Sequence, residues 1–244
     1  MHMCNILSWI LRWSLLLCCA RSDQKLPEAS DGSGSNNNNN NNNSNYNNRA
    51  AVLQPWSTPL LAWRSSPSIR QALAELARQL EASEPSVNAS NRGGWQSGNN
   101  LHLRKLDAIE GLLQEIAEAT RYYFATGLKQ PGNPHVTVKV VGLWANVNRL
   151  GDYNVRHKHP AALLAGVYYV TGSPGASLVF EDPRPQTNVL DAYELFGMGS
   201  PKRIQPSAGA MLLFPGWLEH QVEAQYSSHP RVSFSFNVMA KVTS

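Results

Sequence analysis

After Pro134 the hydrophobic pattern of this chain switches to a period of two, and that switch limits the fold more than any other feature. Apolar runs recur at Val136 to Trp144, Leu163 to Val170, Ser177 to Phe180, Gly209 to Phe214 and Arg231 to Val238, with Pro and Gly between them. Short strands at spacings of roughly 8–12 residues predict a sandwich or small barrel of the jelly-roll kind, mainly β with flanking helices. Barrels of that size can hold one small ligand inside.

The last run alternates strictly. In Arg231-Val-Ser-Phe-Ser-Phe-Asn237, Val232, Phe234 and Phe236 share one face, and Arg231, Ser233, Ser235 and Asn237 share the other. With the polar face turned inward, a guanidinium and a hydroxyl stand side by side in a partly dry cavity, which suits a carboxylate ligand. With that face turned outward, the same residues make a solvated edge strand.

Upstream, residues 51–134 read as a helical segment that packs on the barrel of residues 135–244. Ser68 and Gln71 are placed as a capping pair, Ile69, Leu73, Leu76 and Leu80 follow at steps of four, three and four, and Pro85 ends the pattern. A second helix is predicted from about Lys105 to Phe124, with Leu106, Ile109, Leu113, Ile116 and Thr120 on one face and Gly127 as terminator. The polar, Gly-rich Asn91 to Ser97 between them reads as a loop.

The chain has 244 residues, 42% of them hydrophobic, enough for one sizeable core. Its formal charge of +4 is too weak to argue for nucleic acid, and no basic stripe with interleaved aromatics is present. Cys4, Cys18 and Cys19 all fall in the first twenty residues, so the predicted barrel carries no disulfide, zinc-thiolate site or cysteine nucleophile.

Residues 1–22 form a leader. The apolar stretch Asn5 to Ala20 is shorter than the roughly twenty residues of a membrane span and reads equally as a secretory signal, an organellar presequence or an unprocessed cytoplasmic tail. Residues 23–50, with the unbroken Asn36 to Asn43 run, cannot bury enough apolar surface to order themselves and read as a linker.

Chemistry concentrates at three histidines. His157 and His159 lie two apart and share one face of a strand or its entry, and His220 follows the predicted strand ending at Phe214. Imidazole suits iron, copper, nickel and zinc. Arg231 lies eleven residues beyond His220, one hairpin on.

In order along the chain, Gly93-Gly94-Trp95-Gln96-Ser97, Trp144-Ala-Asn-Val-Asn148, Tyr153-Asn154, His157-Lys-His-Pro160, Gly166-Val-Tyr-Tyr-Val170, Phe180-Glu-Asp-Pro-Arg184, Leu213-Phe-Pro-Gly-Trp-Leu-Glu-His220 and Arg231 to Asn237 resemble the 2-oxoglutarate and Fe(II)-dependent oxygenases, most closely an uncharacterised bacterial and phage branch. The resemblance implies a double-stranded β-helix with iron at its mouth and 2-oxoglutarate deeper within. By position it implies His157 and His220 as metal ligands and Arg231, assisted by Ser233, as partner of the far carboxylate. It also implies an oxidoreductase that consumes O2 and 2-oxoglutarate, releases succinate and hydroxylates a C–H bond, with ascorbate as reductant. Asn146, Tyr168, Tyr153 and Trp144 are candidates to line the cavity.

The chain departs from the superfamily's commonest pattern at one place, where His159 stands instead of Asp or Glu. Either His159 is the third ligand, or Glu181, Asp182 or water completes the site; alternation favours His159. Three other readings compete: a cupin-type metal barrel without 2-oxoglutarate, a non-enzymatic jelly-roll binding module and a three-His zinc hydrolase. Arg231 argues against the first, since that chemistry needs no buried carboxylate partner. Loops at 91–101, 150–156 and 184–206 are expected to select the substrate, with Gln186 to Arg203 as a possible lid.

Overall fold

The computed structural model describes residues 57–128, 136–172, 175–184 and 199–242. The leader and linker expectations lie outside the described residues, as does most of the expected lid. Thr58–Ser244 is a compact unit of its own.

Among the described residues, eleven strands and two α-helices follow in order: β1 (Leu61–Arg64), α1 (Ser68–Ser83), β2 (Asn91–Arg92), β3 (Trp95–Gln96), α2 (Asp107–Tyr122), β4 (Val136–Asn148), β5 (Tyr153–His157), β6 (Leu164–Tyr169), β7 (Leu178–Phe180), β8 (Lys202–Ile204), β9 (Ala210–Pro215), β10 (His220–Val222) and β11 (Arg231–Val242). They form two antiparallel sheets, β1-β9-β6-β11-β4-β3 and β2-β5-β10-β7-β8. From β4 onward the chain passes back and forth between the sheets, which makes the fold a double-stranded β-helix with helices before its main strands.

Strand parity divides the large sheet into two environments. On one face Tyr168, Met211, Leu213, Phe234 and Phe236 join Leu73, Ala77 and Leu80 of α1 and Ile109, Leu112, Ile116 and Ala119 of α2 in one apolar cluster. Each fully buried Leu, Ile or Phe there contributes about 1.5–3 kcal/mol. On the other face Ala165, Val167, Tyr169, Leu212 and Phe214 meet Leu178 and Phe180 of the small sheet. The polar side of β11 therefore looks into the barrel, and its phenylalanines face the helices.

Several local expectations are corrected. Ser68 is the first residue inside α1 and does not cap it; the cap position is Pro67, without a side-chain cap, and the Ser68 hydroxyl meets that of Ser66 at 2.9 Å. Leu106 precedes α2, and Leu112 rather than Leu113 is fully buried, because the α2 stripe follows 109, 112, 116 and 119. A single π-helical turn, Tyr123–Gly127, extends α2. The segment expected to be helical also supplies β1, β2 and β3, so parts of it complete the sheets. Trp63 of β1 ties this edge to α2, its indole N–H donating to Glu115 Oε2 at 3.0 Å. Among the described residues, no helix is long and apolar enough to cross a membrane.

Candidate metal and cosubstrate site

The end of β5 and the start of β10 lie side by side, with His220 paired in register to both His157 and Phe180. Beyond His157 the chain turns, and the His159 backbone N–H donates to the Gly216 carbonyl at 2.8 Å. A side chain at 216 would meet the His159 carbonyl at 2.9 Å, so glycine there lets the loop after β9 close over the turn that carries His159. These contacts bring the three histidines together. Each offers one ring nitrogen, and the three lie within 4.8 Å of one another.

The ring orientations suit metal ligation. His157 Nδ1–H donates to the Val155 carbonyl at 2.7 Å and His220 Nδ1–H donates to the Leu218 carbonyl at 2.9 Å, in the tautomer those acceptors select. That tautomer leaves each Nε2 lone pair free, the arrangement by which outer partners orient metal-binding imidazoles. His159 stacks on His220 at 7° with 5.2 Å between centroids, and on Trp144 at 27° and 6.0 Å. Phe214 packs edge-on to His220 at 4.7 Å.

Burial keeps the three rings neutral. Desolvation, with His157 nearby, pushes His220 down to about 3 and His159 down to about 4, the latter opposed by the Asn237 side chain. Desolvation also lowers His157, against its bond to Val155. Neutral imidazoles are the form that binds a metal.

The alternative third ligands face elsewhere. Arg156 Nη2 lies 2.9 Å from Glu181 Oε1, and Asp182 accepts from Arg184 Nε at 3.0 Å and from the Gly199 backbone N–H at 3.1 Å. Arg184 beside it holds the Asp182 carboxyl down to about 2.

Next to the histidines is a cavity that opens to solvent. Its walls include Trp144, Asn146, Asn154, Tyr169, Phe214, Arg231, Ser233 and Ser235. Arg231 is 3% exposed, and its Nη2 donates to Asn148 Oδ1 at 2.8 Å while its Nε has no partner among the described residues. Desolvation pushes this guanidinium below its usual value, opposed by Tyr169 and Asp152. A buried cation in a cavity wall is matched to an anionic ligand, and a guanidinium holds a carboxylate by two parallel hydrogen bonds.

The structure thus gathers His157, His159, His220, Arg231, Ser233, Asn146 and Trp144 around one cavity. Tyr168 is a correction. It pairs with Phe234, faces the helices and is fully buried in their cluster, whereas Tyr169 pairs with Ser233 and lines the cavity. Tyr153 is likewise 41% exposed and outside the cavity wall, and its neighbour Asn154 is the inward residue. The alternation of β6 would have identified Tyr169 once its pairing with Ser233 was known. Asn148 carries no signal of its own role beyond standing two residues from Asn146 on an alternating strand.

Comparison with known proteins gives the arrangement its place. Residues 142–237 match the family model described as "Putative 2OG-Fe(II) oxygenase", a span that runs from β4 to β11 and includes all three histidines and Arg231. No curated protein matches the chain by sequence. Among solved structures, it is similar to the non-heme α-ketoglutarate-dependent epimerase SnoN from nogalamycin biosynthesis (TM-score 0.56, 14% identity, 77% of this chain and 81% of that one). It is also similar to a Pseudomonas putida prolyl-4-hydroxylase (TM-score 0.53, 16% identity, 74% and 93%) and to a Trichoplax adhaerens prolyl hydroxylase solved with a hypoxia inducible factor peptide (TM-score 0.53, 14% identity, 74% and 83%). At such identities the structural likeness speaks for the fold. Over residues 142–237, the strands that carry the histidines and the buried arginine, the chain is thus similar to the 2-oxoglutarate/Fe(II) oxygenases.

Proposed function

We propose that His157, His159 and His220 hold Fe(II), that Arg231 and Ser233 bind the far carboxylate of 2-oxoglutarate, and that the protein hydroxylates a C–H bond of its substrate. The observation that carries this reading is the three-nitrogen cluster opening onto the same cavity as a buried guanidinium. The donor set fits the group, since imidazole serves iron and the cavity offers a cation where the cosubstrate's carboxylate would lie. When bound, iron and 2-oxoglutarate supply the oxidising power, with O2 consumed and succinate and CO2 released.

The chain's own residues do the rest. Val155 and Leu218 carbonyls fix two imidazoles by accepting from Nδ1–H, and the Trp144 indole fixes the third by stacking. Phe180 and Phe214 pack against His220 and exclude water from that side. Tyr169, whose hydroxyl burial pushes up to about 12, stays protonated beside Arg231 and keeps a donor in the wall. Asn146 Nδ2 donates to Ser235 Oγ at 3.1 Å, which holds both side chains in the cavity lining. His159 stands where a carboxylate is commonest, so the three imidazoles would make a neutral ligand set and would leave a bound metal with one more positive charge.

Hydroxylation is favoured because it would ask nothing of the chain beyond a C–H bond held in the cavity beside the three histidines. The similar structures include an epimerase and a carbocyclase as well as prolyl hydroxylases, so product identification belongs to the test. Purified protein with Fe(II), 2-oxoglutarate and ascorbate under air is expected to release succinate slowly without a prime substrate. Absence of succinate from protein shown to hold both iron and 2-oxoglutarate would count against the reading. Mass gain of one oxygen in an oxidised substrate would then assign the hydroxylase outcome.

A further inference from the structure

The segments Gly93-Gly94, Trp144 to Asn148 and Tyr153-Asn154 stand out in the sequence, yet metal and cosubstrate binding leave most of their residues without a role. In the structure they meet at Arg231. β11 and β4 pair so that Arg231 lies opposite Asn148. The same Nη2 that donates to Asn148 Oδ1 at 2.8 Å lies 3.5 Å from Asn154 Oδ1, on the opposite sheet. Asn154 is itself held, its Nδ2 donating to Ser90 Oγ at 3.1 Å. Both amides are buried, Asn148 at 2% and Asn154 at 9% exposure. Gly94 has a φ of +67°, and a side chain there would meet the Val147 carbonyl at 2.9 Å and Asn148 Nδ2 at 3.2 Å. Glycine thus lets the β2–β3 connection lie directly on Asn148.

An amide accepts a hydrogen bond from a guanidinium without cancelling its charge, whereas a carboxylate at the same place would form a buried ion pair. Asp152 is the carboxylate whose charge reaches Arg231. It is engaged by the Arg149 backbone N–H at 2.7 Å and is not part of the cavity wall. We propose that Asn148 and Asn154, seated by Gly94 and Ser90, are positioning residues that fix one edge of Arg231 through neutral contacts, so that its charge remains available to the incoming carboxylate. The proposal rests on the reading that Arg231 receives 2-oxoglutarate.

The test uses the full chain loaded with Zn(II), with 2-oxoglutarate binding measured by calorimetry and thermal stability measured without 2-oxoglutarate. Asn148→Asp is expected to weaken 2-oxoglutarate binding at least tenfold while the ligand-free protein becomes no less stable, because the new carboxylate partners Arg231. Asn154→Asp is expected to change both quantities in the same senses from the other sheet, and serves as the second variant should Asp152 disturb the first. Asn148→Ala is expected to lower affinity and stability together. A role limited to packing would move affinity and stability together in the Asp variants too, and that result overturns the proposal. So does affinity within twofold of wild type in both Asp variants, or loss of fold in both. Arg231→Met separates the parent reading: if it binds 2-oxoglutarate normally, that reading fails and this one with it. If it does not, normal binding by the Asp variants sinks this proposal alone.

Discussion

Acidifying the metal-free protein tests whether the fold holds its histidines neutral. In the folded chain burial lowers His220 to about 3 and His159 to about 4, from an ordinary 6.5. Between pH 7 and 5.5 the unfolded chain takes up protons on these rings and the folded chain does not, so falling pH favours unfolding. For a group that titrates at 6.5 only when unfolded, that interval removes about 1.2 kcal/mol, or roughly 2–3 kcal/mol for the two rings together. His157, lowered by the same desolvation, acts in the same sense. For a folded unit of this size each kcal/mol moves Tm by about 2–4 °C, so a drop of roughly 5–10 °C is expected. The assay is thermal denaturation of chelator-treated protein at both pH values, beside a variant with all three histidines replaced by asparagine. The variant is expected to lose the excess pH sensitivity. An identical pH-dependent drop in protein and variant would refute the claim that desolvation of these rings is a stability term.

Other perturbations separate the parts of the account. Arg231→Ala is expected to raise the 2-oxoglutarate concentration needed for half-saturation by at least tenfold and to leave metal stoichiometry unchanged, read by calorimetry and elemental analysis. Ile116→Ala, in the α2 face buried against the large sheet, is expected to cost about 2–5 kcal/mol in denaturant unfolding while metal affinity stays within twofold, since the helix cluster lies on the far face of that sheet. His159→Asp is expected to keep the metal, because the position already faces the two other ligands; loss of metal from a folded variant would show that the imidazole itself is required.

The alternating pattern of β11 was enough to expect a polar, arginine-bearing wall, because a period of two leaves only two arrangements and the Phe side needs a core. The i, i+2 spacing of His157 and His159 was likewise legible, although a turn anchored by Gly216, rather than strand alternation alone, brings His159 to the cluster. Less visible were β8 and β10, three residues each, whose Lys, Arg, His and Gln give no apolar period. The adjacent tyrosines show a parity limit. Nothing local distinguishes Tyr168 from Tyr169, and only the register that pairs Tyr169 with Ser233 decides which one faces the cavity. Asn148 and Asn154 lie in segments that resemble the oxygenases, but a hydrogen bond spanning 83 positions of chain leaves no periodic trace.

The most direct measurement is the number of Fe(II) ions bound per chain under anaerobic conditions, in the wild type and in a His157→Ala/His220→Ala double variant shown to be folded. One ion per wild-type chain and none in the variant is the predicted result. Undiminished iron in the variant would contradict the convergence of these imidazoles on a single metal.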